Sequence, residues 1–283
     1  MDKFNLYFVE ALTNTHVGSG DLGFGIVDNL VQRNHATGIP VYNSSSLKGA
    51  LNDHFSTLSP GEHEKFFGKE FDSNEEARTY APGRLIFIEA NLLTLPLRST
   101  GKIYYNCTSP FVLIEFLNYL VNFNLVNQKE IIPFESALNN LDFKGNDFIV
   151  LSEEVPEIED FILGIKIPLE GELKKGFEKF LKNLSTDNLA IFNNDIFAEI
   201  CKSYLPVIAR NKIDDEGESE NLFYEEILPR KSVLYFLLGK ENNYISSAEY
   251  SKFENILLAD IIQFGGNYSI GYGFSKIHPL EVQ

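Results

Sequence analysis

Cysteine is scarce in this chain, and the only two, Cys107 and Cys201, stand far apart. Neither has the paired spacing of a zinc site or of a disulfide framework, so we expect two buried, reduced thiols. Long apolar runs are also missing: no stretch approaches the ~18 residues of a membrane span, and the first residues lack the basic-then-apolar order of a signal peptide. These absences predict a cytoplasmic protein without a membrane partner.

Basic residues are outnumbered, with 24 Lys and Arg against 40 Asp and Glu and a net charge of −16. A protein of that charge repels nucleic acid unless the charge is unevenly distributed. Residues 111–228 hold 10 basic and 23 acidic residues, whereas residues 1–110 hold 9 and 12, and residues 229–283 hold 5 of each. The bulk charge therefore argues against nucleic-acid binding, but it leaves two nearly neutral ends where such binding stays open.

The hydrophobic fraction of 44% and the charged fraction of 23% are typical of a chain that buries a core, and we expect one elaborated domain. Hydrophobic periodicity predicts the regular elements. The predicted strands cover 3–12, 83–97 and 232–239, and the predicted helices run from a serine N-cap at about Ser46 to Leu58, from near Pro110, and from Ser246 with its capping-box partner Glu249. This order is the outline of an α+β, ferredoxin-like fold.

The middle of the chain adds to that outline. Residues 111–205 mix short strands with amphipathic helices and are predicted to elaborate the simpler core. The strand-like runs LPVIARNKI (205–213) and NLFYEEIL (221–228) flank the acidic DDEGESE (214–220). Because a loop of that composition contributes nothing to a core, we predict a projecting β-hairpin.

Near the N-terminus, TNTHVGSGDLGFG (13–25) contains glycines too closely spaced to hold regular structure cheaply. Asp28 follows this loop, where an aspartate is more often a turn or cap residue than a catalytic one. Beside an RNA 2′-hydroxyl, however, its carboxylate could act as a base, bind a metal ion or align the attack. His16 in the same loop could then serve as the complementary acid or as an orienting group, although a lone loop histidine is more often structural or simply exposed.

The segment NSSSLKGAL (43–51) places serine hydroxyls, backbone N–H groups and Lys48 at a predicted helix start. This arrangement suits a phosphate, although taken alone it more often indicates a simple N-cap with a solvated lysine. The spacing of Ser45 and Lys48 also matches the S-x-x-K of acyl-serine enzymes, but the companion motifs are absent, and the glycines of a P-loop are missing too.

Near the C-terminus, NYSIGYGFSKI (267–277) matches the RNP1 pattern of RNA-recognition modules in part. The leading basic residue is absent, and Ser275 and Ile277 replace the valine and the aromatic residue. The glycines more securely indicate that the backbone approaches a ligand or a neighbouring strand closely.

Six segments, taken in order, resemble the repeating backbone subunit of type III-B CRISPR effector complexes, the Cmr-type RAMP protein. They are THVGSG, VDNLVQRNHATGIP, SSLKGAL, LPLRSTG, ARNKID with NLFYEEILP, and QFGGNYSIGYG. The resemblance covers nearly the whole chain, although residues 124–200 contribute little. Tyr42 and Asn43 depart from the proline-glycine that usually precedes the paired serines. Type III-A subunits share the aspartate and the serine-lysine helix start, and VQRN and LPLRSTG favour III-B.

The resemblance implies a single RAMP domain over 1–283, with an RRM-like palm, the elaboration at 111–205 and a thumb hairpin at 205–229. It implies four kinds of partner: CRISPR guide RNA, target RNA, copies of the chain itself in a filament, and other type III effector subunits. It also implies an endoribonuclease that cuts guide-paired target RNA at regular intervals and depends on a divalent metal ion, Mg2+ or Mn2+.

The resemblance further implies the site residues. The family's catalytic aspartate falls on Asp28, which is also the candidate metal ligand, and His16 and Glu226 lie where the family has residues near the cut. The implied RNA contacts are Gly18, Ser19, Gly20, Arg33, Ser45, Ser46, Lys48, Arg98, Gly265, Gly266, Gly271 and Gly273.

Two other functions remain open from the residues alone. The subunit could bind guide RNA as a scaffold without cutting, or it could be a protein-binding module that uses its acidic middle surface. If it cuts by attack of the 2′-hydroxyl, the product should carry a 2′,3′-cyclic phosphate.

Overall fold

Strands that lie far apart in the sequence meet in one large sheet at the centre of the molecule. The structure, a computed structural model, describes residues 3–22, 26–57, 60–68, 82–151, 154–182, 184–213 and 219–281. The strands are β1 (Lys3–Ala11), β2 (Gly18–Leu22), β3 (Asn29–Val31), β4 (Val41–Tyr42), β5 (Leu85–Phe87), β6 (Ala90–Arg98), β7 (Tyr104–Thr108), β8 (Phe148–Val150), β9 (Gly164–Lys166), β10 (Leu189–Phe192), β11 (Val207–Ile213), β12 (Ser219–Glu226), β13 (Val233–Lys240), β14 (Ile261–Gln263) and β15 (Phe274–Pro279). The α-helices are α1 (Ser44–His54), α2 (Pro60–Phe67), α3 (Pro110–Asn122), α4 (Gln128–Asn139), α5 (Gly171–Phe180), α6 (Asn194–Ser203) and α7 (Ser247–Ala259).

The large sheet has the strand order β14-β15-β1-β13-β6-β7-β10-β8-β9, with β4 also paired to β6 and β5 to β13. Strands β1 and β13 pair antiparallel over eight residues, from Lys3 opposite Lys240 to Glu10 opposite Val233. Both strands are apolar on both faces, which is the pattern of a strand covered on each side. The centre of the sheet is therefore fully buried.

Neighbouring residue pairs of these two strands hold helices on opposite faces. The rings of Phe8 and Tyr235, which pair across the strands, pack on Phe116 of α3 at 5.9 and 5.1 Å. The next pair points the other way, because successive side chains of a strand alternate between faces. In that pair Tyr7 stacks on Phe236 at 5.4 Å, and its hydroxyl hydrogen-bonds that of Tyr250 on α7 at 3.0 Å. The sheet is thus sandwiched between helices.

A second, smaller sheet of four strands lies beside the first, in the order β11-β12-β3-β2. Strands β11 and β12 form the predicted antiparallel hairpin, with Val207 opposite Glu226. The acidic residues 214–218 at its tip lie outside the described residues. Strand β12 continues into a short parallel pairing with β3, at Glu225 opposite Asn29. The hairpin is therefore joined to the segment that carries Asp28.

The glycine-rich loop was predicted to avoid regular structure, and that prediction is wrong for its first half. Residues Gly18–Leu22 form β2, which pairs with β3 through an irregular register. Gly20 adopts a φ of 79°, a conformation that glycine takes without steric cost. The second half of the loop, 23–25, lies outside the described residues.

The first helix also differs from its prediction, because it begins at Ser44 rather than near Ser46 and ends at His54. Its N-cap is Asn43, whose side chain makes no capping hydrogen bond, so the predicted serine N-cap is wrong. The backbone N–H of Asn43 instead donates to the side chain of Gln32 at 2.8 Å. A contact from a distant strand, rather than a local cap, fixes this helix start.

The predicted strand 83–97 is two strands, β5 and β6, which pair with successive parts of β13. Other predictions are confirmed. Helix α3 begins at Pro110, and Ser246 and Glu249 form a reciprocal capping box. The hydrogen bond from Lys65 to Glu249, reinforced by bonds from Ser246, lowers the pKa of that carboxyl to about 2.

Cys107 and Cys201 are buried and unpaired, as predicted. Burial raises the pKa of the Cys201 thiol to about 12 and that of Cys107 well above its usual value. Across the described residues, we find no helix of the length and apolarity needed to cross a bilayer.

Two helical glycines allow a test of how closely the elaboration is packed. A Cβ at Gly176 of α5 would lie 2.0 Å from the ring of Phe134 on α4, whereas a Cβ at Gly49 of α1 meets nothing within 4 Å. Alanine favours a helix over glycine by up to about 1 kcal/mol, while overpacking costs about 1–3 kcal/mol. We therefore expect Gly176→Ala to lower the free energy of unfolding and Gly49→Ala to leave it equal or higher, as measured by chemical denaturation. Equal stabilisation by both changes would contradict the observed contact between α4 and α5.

Candidate nucleic-acid interface

The site lies at the root of the hairpin, where β12 ends. Here the loop after β1 is fixed to the chain that follows β12, because Thr15 and Leu228 exchange backbone hydrogen bonds of 2.8 Å in both directions. A segment from the N-terminus and one from the last third of the chain are thereby held side by side. The predicted catalytic residues Asp28, His16 and Glu226 all come from these segments.

Asp28 is exposed and lies alongside Tyr224 of β12. Its backbone N–H donates to the Tyr224 carbonyl at 3.0 Å, and its Oδ2 accepts from the Tyr224 N–H at 2.8 Å. These two bonds fix the direction of the side chain, which is short and has few rotamers. Among the described residues, Oδ2 is the carboxylate oxygen that a hydrogen bond engages, and the residue as a whole is exposed.

His16 is nearly buried, with 9% of its surface exposed. Its Nδ1 lies 2.7 Å from the backbone carbonyl oxygen of Glu226. Because a carbonyl only accepts, Nδ1 carries the proton and donates, which leaves Nε2 for other chemistry. Nε2 faces Gly18, where a Cβ would lie only 2.9 Å away. The glycine at 18 is therefore needed for this ring position.

Asp28 and His16 lie two residues apart along β12, because one is held at Tyr224 and the other at Glu226. At the rise of a strand, this offset is about 7 Å. The two contacts therefore hold an exposed carboxylate and an imidazole at nearby positions of one strand. The structure thus brings these two predicted residues together.

Glu226, the third predicted catalytic residue, is 4% exposed and forms a bidentate ion pair with Arg33. Both guanidinium N–H to carboxylate oxygen distances are 2.6 Å, and the same carboxylate accepts the Val31 N–H at 3.1 Å. Arg33 also donates to the Cys201 carbonyl at 3.0 Å, in the last turn of α6. Glu226, predicted for catalysis, and Arg33, predicted to bind RNA, are therefore each other's partners in a buried cluster.

Gln32 connects the first loop to the start of α1, a role that no sequence signal predicted. Its side-chain amide donates to the Gly18 carbonyl at 3.0 Å and to Ser46 Oγ at 2.8 Å, and its Oε1 accepts the N–H of Asn43. Two of the predicted RNA contacts, Gly18 and Ser46, are thus joined by one side chain. This contact is visible only in the folded chain, where the residue that follows β3 lies beside the start of α1.

Lys48 and Ser45 stand on the first turns of α1, next to this contact. Ser45 is exposed and Lys48 is half-buried. Among the described residues, no hydrogen bond or ion pair engages the Lys48 ammonium group. The N–H groups of this helix start also lack a side-chain cap, so the helix dipole and Lys48 both favour an anion here.

The C-terminal glycine loop packs directly on the His16 segment. The N–H of Gly266 donates to the His16 carbonyl at 2.9 Å, and a Cβ at Gly265 would lie 2.1 Å from that oxygen. The N–H of Gly273 donates to the Asn14 carbonyl at 2.8 Å. The sequence-based expectation of a close backbone approach is confirmed at Gly265 and Gly273. At Gly266 and Gly271 a Cβ meets nothing within 4 Å, although Gly271 has a φ of 82°.

A second buried carboxylate, Glu225, was missed by sequence reasoning. It is 3% exposed and accepts two hydrogen bonds from the Asn267 side chain, at 2.9 and 2.8 Å. Arg210 lies 3.3 Å from it, and Nε2 of His16 lies 3.7 Å away. Because neighbouring residues of a strand face opposite sides, the pair Glu225-Glu226 is divided between two partners. This alternation of side-chain direction is the sequence signal that could have identified Glu225.

Arg98 does not join the site. It ends β6, eight residues from Ala90, which pairs with Tyr42 just before α1. At a strand rise of about 3.3 Å per residue this is about 26 Å. Its exposed side chain pairs with Glu159, whose hydrogen bond and charge raise the pKa of the guanidinium. Ser19 and Gly20 lie in β2 at the edge of the smaller sheet, near Gly18.

Comparison with known proteins places this arrangement in a family. A sequence model of the RAMP superfamily matches residues 8–276. The CRISPR system Cmr endoribonuclease Cmr4 of Pyrococcus furiosus is 28% identical over 290 residues, covering 99% of this chain and 97% of that protein.

Solved structures show the same fold. The oligomeric Cmr4 from Pyrococcus furiosus has a TM-score of 0.72 at 23% identity, with 100% of both chains covered. A chain of the type III-B Cmr-beta complex bound to cognate target RNA has a TM-score of 0.75 at 21% identity, with 98% of this chain and 96% of that chain covered. With the family match extending over nearly its whole length, this chain, which has a mixed α+β fold similar to Cmr4, belongs to the RAMP superfamily.

Proposed function

We propose that this chain is the guide-RNA-binding backbone subunit and the target-RNA endoribonuclease of a type III-B effector complex in the cytoplasm. One observation carries the proposal: at the root of a hairpin, an exposed carboxylate, Asp28, is held at Tyr224 of β12, and the imidazole of His16 is held at Glu226, two residues further along the same strand. The Cmr4 relative, which bears the name endoribonuclease, supports the same activity.

The order of four strands supports a ferredoxin-like palm for this subunit. Strands β15, β1, β13 and β6 are neighbours in that order and pair antiparallel. Numbered by their place in the palm, they run 4-1-3-2, with α1 between the first and second strands and α7 between the third and fourth. This is the βαββαβ arrangement of the ferredoxin-like fold. The hairpin of β11 and β12 then corresponds to the thumb.

The chemistry that fits this site is transesterification within the RNA. The 2′-oxygen forms a bond to the adjacent phosphorus while the bond from phosphorus to the 5′-oxygen breaks. Asp28 takes the proton of the 2′-hydroxyl or aligns it, and Nε2 of a doubly protonated His16 gives a proton to the leaving 5′-oxygen. The products are a 2′,3′-cyclic phosphate and a 5′-hydroxyl. Base pairing with the guide, rather than the protein, supplies sequence specificity.

Glu226 has a positioning role in this proposal. Its carboxylate is buried and bound by Arg33, so it does not face the RNA. Its backbone carbonyl, however, accepts from His16 Nδ1 and fixes the tautomer that leaves Nε2 available. The ion pair of its side chain holds β12 against β3 and α6, and thereby holds that carbonyl in place.

A divalent metal ion fits Asp28 only together with RNA. Among the described residues, no group of three or more His, Cys, Asp or Glu side chains could hold a metal ion. Mg2+ is commonly held by one or two carboxylates plus the phosphates of a substrate, a donor set that the exposed Asp28 and a bound strand would supply. When bound, such an ion would neutralise charge that develops on the phosphate.

The guide RNA is proposed to contact the uncapped start of α1 and the glycine loop. Lys48 and the free N–H groups of α1 suit a phosphate, and the glycine loop presents backbone without side chains. The remaining proposed partners are target RNA, further copies of this chain along the guide, and other effector subunits. The oligomeric Cmr4 structure supports self-association. The alternative is a type III-A counterpart, and the Cmr4 relative favours type III-B.

We expect Asp28→Asn to abolish cutting while guide and target binding persist, because the amide keeps the bond from the Tyr224 N–H but loses the charge. The rate of target cleavage by the assembled complex should fall by about a hundredfold or more. The control is Asp53→Asn, which changes an exposed carboxylate on α1. Full cleavage by Asp28→Asn would favour a guide-binding scaffold without catalysis. Wild-type products ending in a 3′-hydroxyl would contradict the transesterification.

We expect Lys48→Glu to weaken guide RNA binding, since it replaces a cation at a helix start with an anion. The slope of log affinity against log salt should become shallower by about one unit for the lost phosphate contact. Lys129→Glu, on the exposed surface of α4, serves as the control and should leave both quantities unchanged. Charge reversal within residues 214–220 should also have little effect. Similar losses in all three variants would contradict the proposed path of the guide.

We expect Arg33→Met to lower the free energy of unfolding by about 3–5 kcal/mol, because it leaves the buried Glu226 carboxylate without its cation. Adding Glu226→Gln should recover a large part of that loss, since the glutamine oxygen still accepts the Val31 N–H. Denaturant unfolding of the subunit measures both. Arg98→Met, which breaks an exposed pair, is the control and should leave stability close to that of the wild type. An Arg33→Met variant as stable as this control would show that the buried pair is not stabilising.

A further inference from the structure

Asn267 joins the C-terminal glycine loop to the hairpin root with one side chain. Its Nδ2 donates to both carboxylate oxygens of Glu225, at 2.9 and 2.8 Å, and its Oδ1 accepts from Arg210 at 2.6 Å. Arg210 belongs to β11 and Glu225 to β12, so the amide contacts both strands of the hairpin. It satisfies a buried carboxylate and a guanidinium at the same time.

The backbone at Asn267 restricts which residue can do this. Asn267 has a φ of 67° and a ψ of 29°, the left-handed conformation, just before the turn Tyr268–Ile270. Its carbonyl accepts the N–H groups of Ile270 and Tyr272, at 3.1 and 3.3 Å, so the residue is also held through its backbone. Glycine tolerates the left-handed conformation but has no side-chain amide, and most residues with a side chain avoid this conformation. Asparagine meets both demands.

Asn267 is linked to His16 through two sets of contacts, one by way of the neighbouring Gly266 and one by way of Glu225. The neighbouring Gly266 donates its N–H to the His16 carbonyl, so the loop supports the His16 backbone from one side. Glu225, held by Asn267, places Oε1 at 3.7 Å from His16 Nε2. A loss of the amide would therefore disturb both the backbone support and the carboxylate that faces the ring.

We propose that Asn267 is a positioning residue for RNA cleavage, which acts by holding Glu225 and the glycine loop around His16. The inference rests on the proposed function, because it requires His16 to take part in cutting. The side chain of Asn267 is engaged by Arg210 and Glu225, so it is not proposed to contact the reacting groups itself. Its effect should therefore appear in the rate of cleavage and not in the affinity of the guide-loaded complex for target RNA.

The test uses two substitutions in the assembled, guide-loaded complex. Asn267→Asp keeps the shape but replaces the donor with a carboxylate beside Glu225, whereas Asn267→Gly keeps the left-handed backbone and removes only the side chain. We expect Asn267→Asp to lower the cleavage rate at saturating target by about tenfold to a hundredfold, and Asn267→Gly by less. The target concentration that gives half the maximal rate should stay within about twofold of the wild type. Equal losses of rate and affinity would overturn the proposal.

The pH dependence separates positioning from a general packing defect. Once protonated, the introduced carboxyl can donate to Glu225, and protonation removes the repulsion between the two carboxylates; Arg210 and His16, the other charged groups that face Glu225, are the same in both proteins. The cleavage rate of Asn267→Asp relative to the wild type should therefore rise as the pH is lowered from about 7 to about 5. A constant ratio across that range would contradict the proposed hydrogen bond.

The double variant of Asn267→Asp with His16→Ala tests whether the effect passes through His16. We expect it to cleave no more slowly than His16→Ala alone, because residues that act as a unit are not additive. Losses that multiply would overturn the inference on Asn267 and leave the proposed function intact. If His16→Ala cleaves like the wild type, the proposed role of His16 in cutting fails instead.

Discussion

The site depends on two adjacent glutamates at the end of β12 that face opposite ways. Glu226 turns towards Arg33 and holds the hairpin to β3 and the last turn of α6, while Glu225 turns towards Asn267 and Arg210 and holds it to the glycine loop. Because both are buried, each needs its cation and its hydrogen bonds to remain charged at low cost. Four segments distant in the sequence are brought together by satisfying these two carboxylates.

This arrangement also explains how an acidic chain presents a surface that tolerates RNA. The charges of Glu225 and Glu226 are balanced locally by Arg210 and Arg33, so they add little to the field at the surface. At the hairpin root, Asp28 is the carboxylate that stays exposed among the described residues of this site. The start of α1 supplies partial positive charge from its free N–H groups and a full charge from Lys48. Much of the net charge of −16 lies on 111–228, in the elaboration and the hairpin.

Several elements were predictable because their signals are local. Strand β1, helix α3 and the capping box of Ser246 and Glu249 follow from periodicity and from residues within one turn. The start of α1 was predicted two residues late because Gln32, eleven positions from Asn43, fixes it through a tertiary hydrogen bond. Strand β2 was missed because pairing with β3 compensates for its glycines. A local rule cannot anticipate either effect.

The α+β class, the hairpin and the likeness to the RAMP family could be read from the sequence alone, since they rest on periodicity and on motifs of a few residues. The sequence also singled out Asp28 and His16 as candidates. Three further points needed the folded chain: Arg33 and Glu226 pair with each other, Arg98 lies about 26 Å along β6 from the pairing beside α1, and Gln32 and Asn267 hold the site together. The reason is physical: a buried polar side chain takes its role from the partner that satisfies it, and that partner is set by strand register between distant segments rather than by neighbours in the chain.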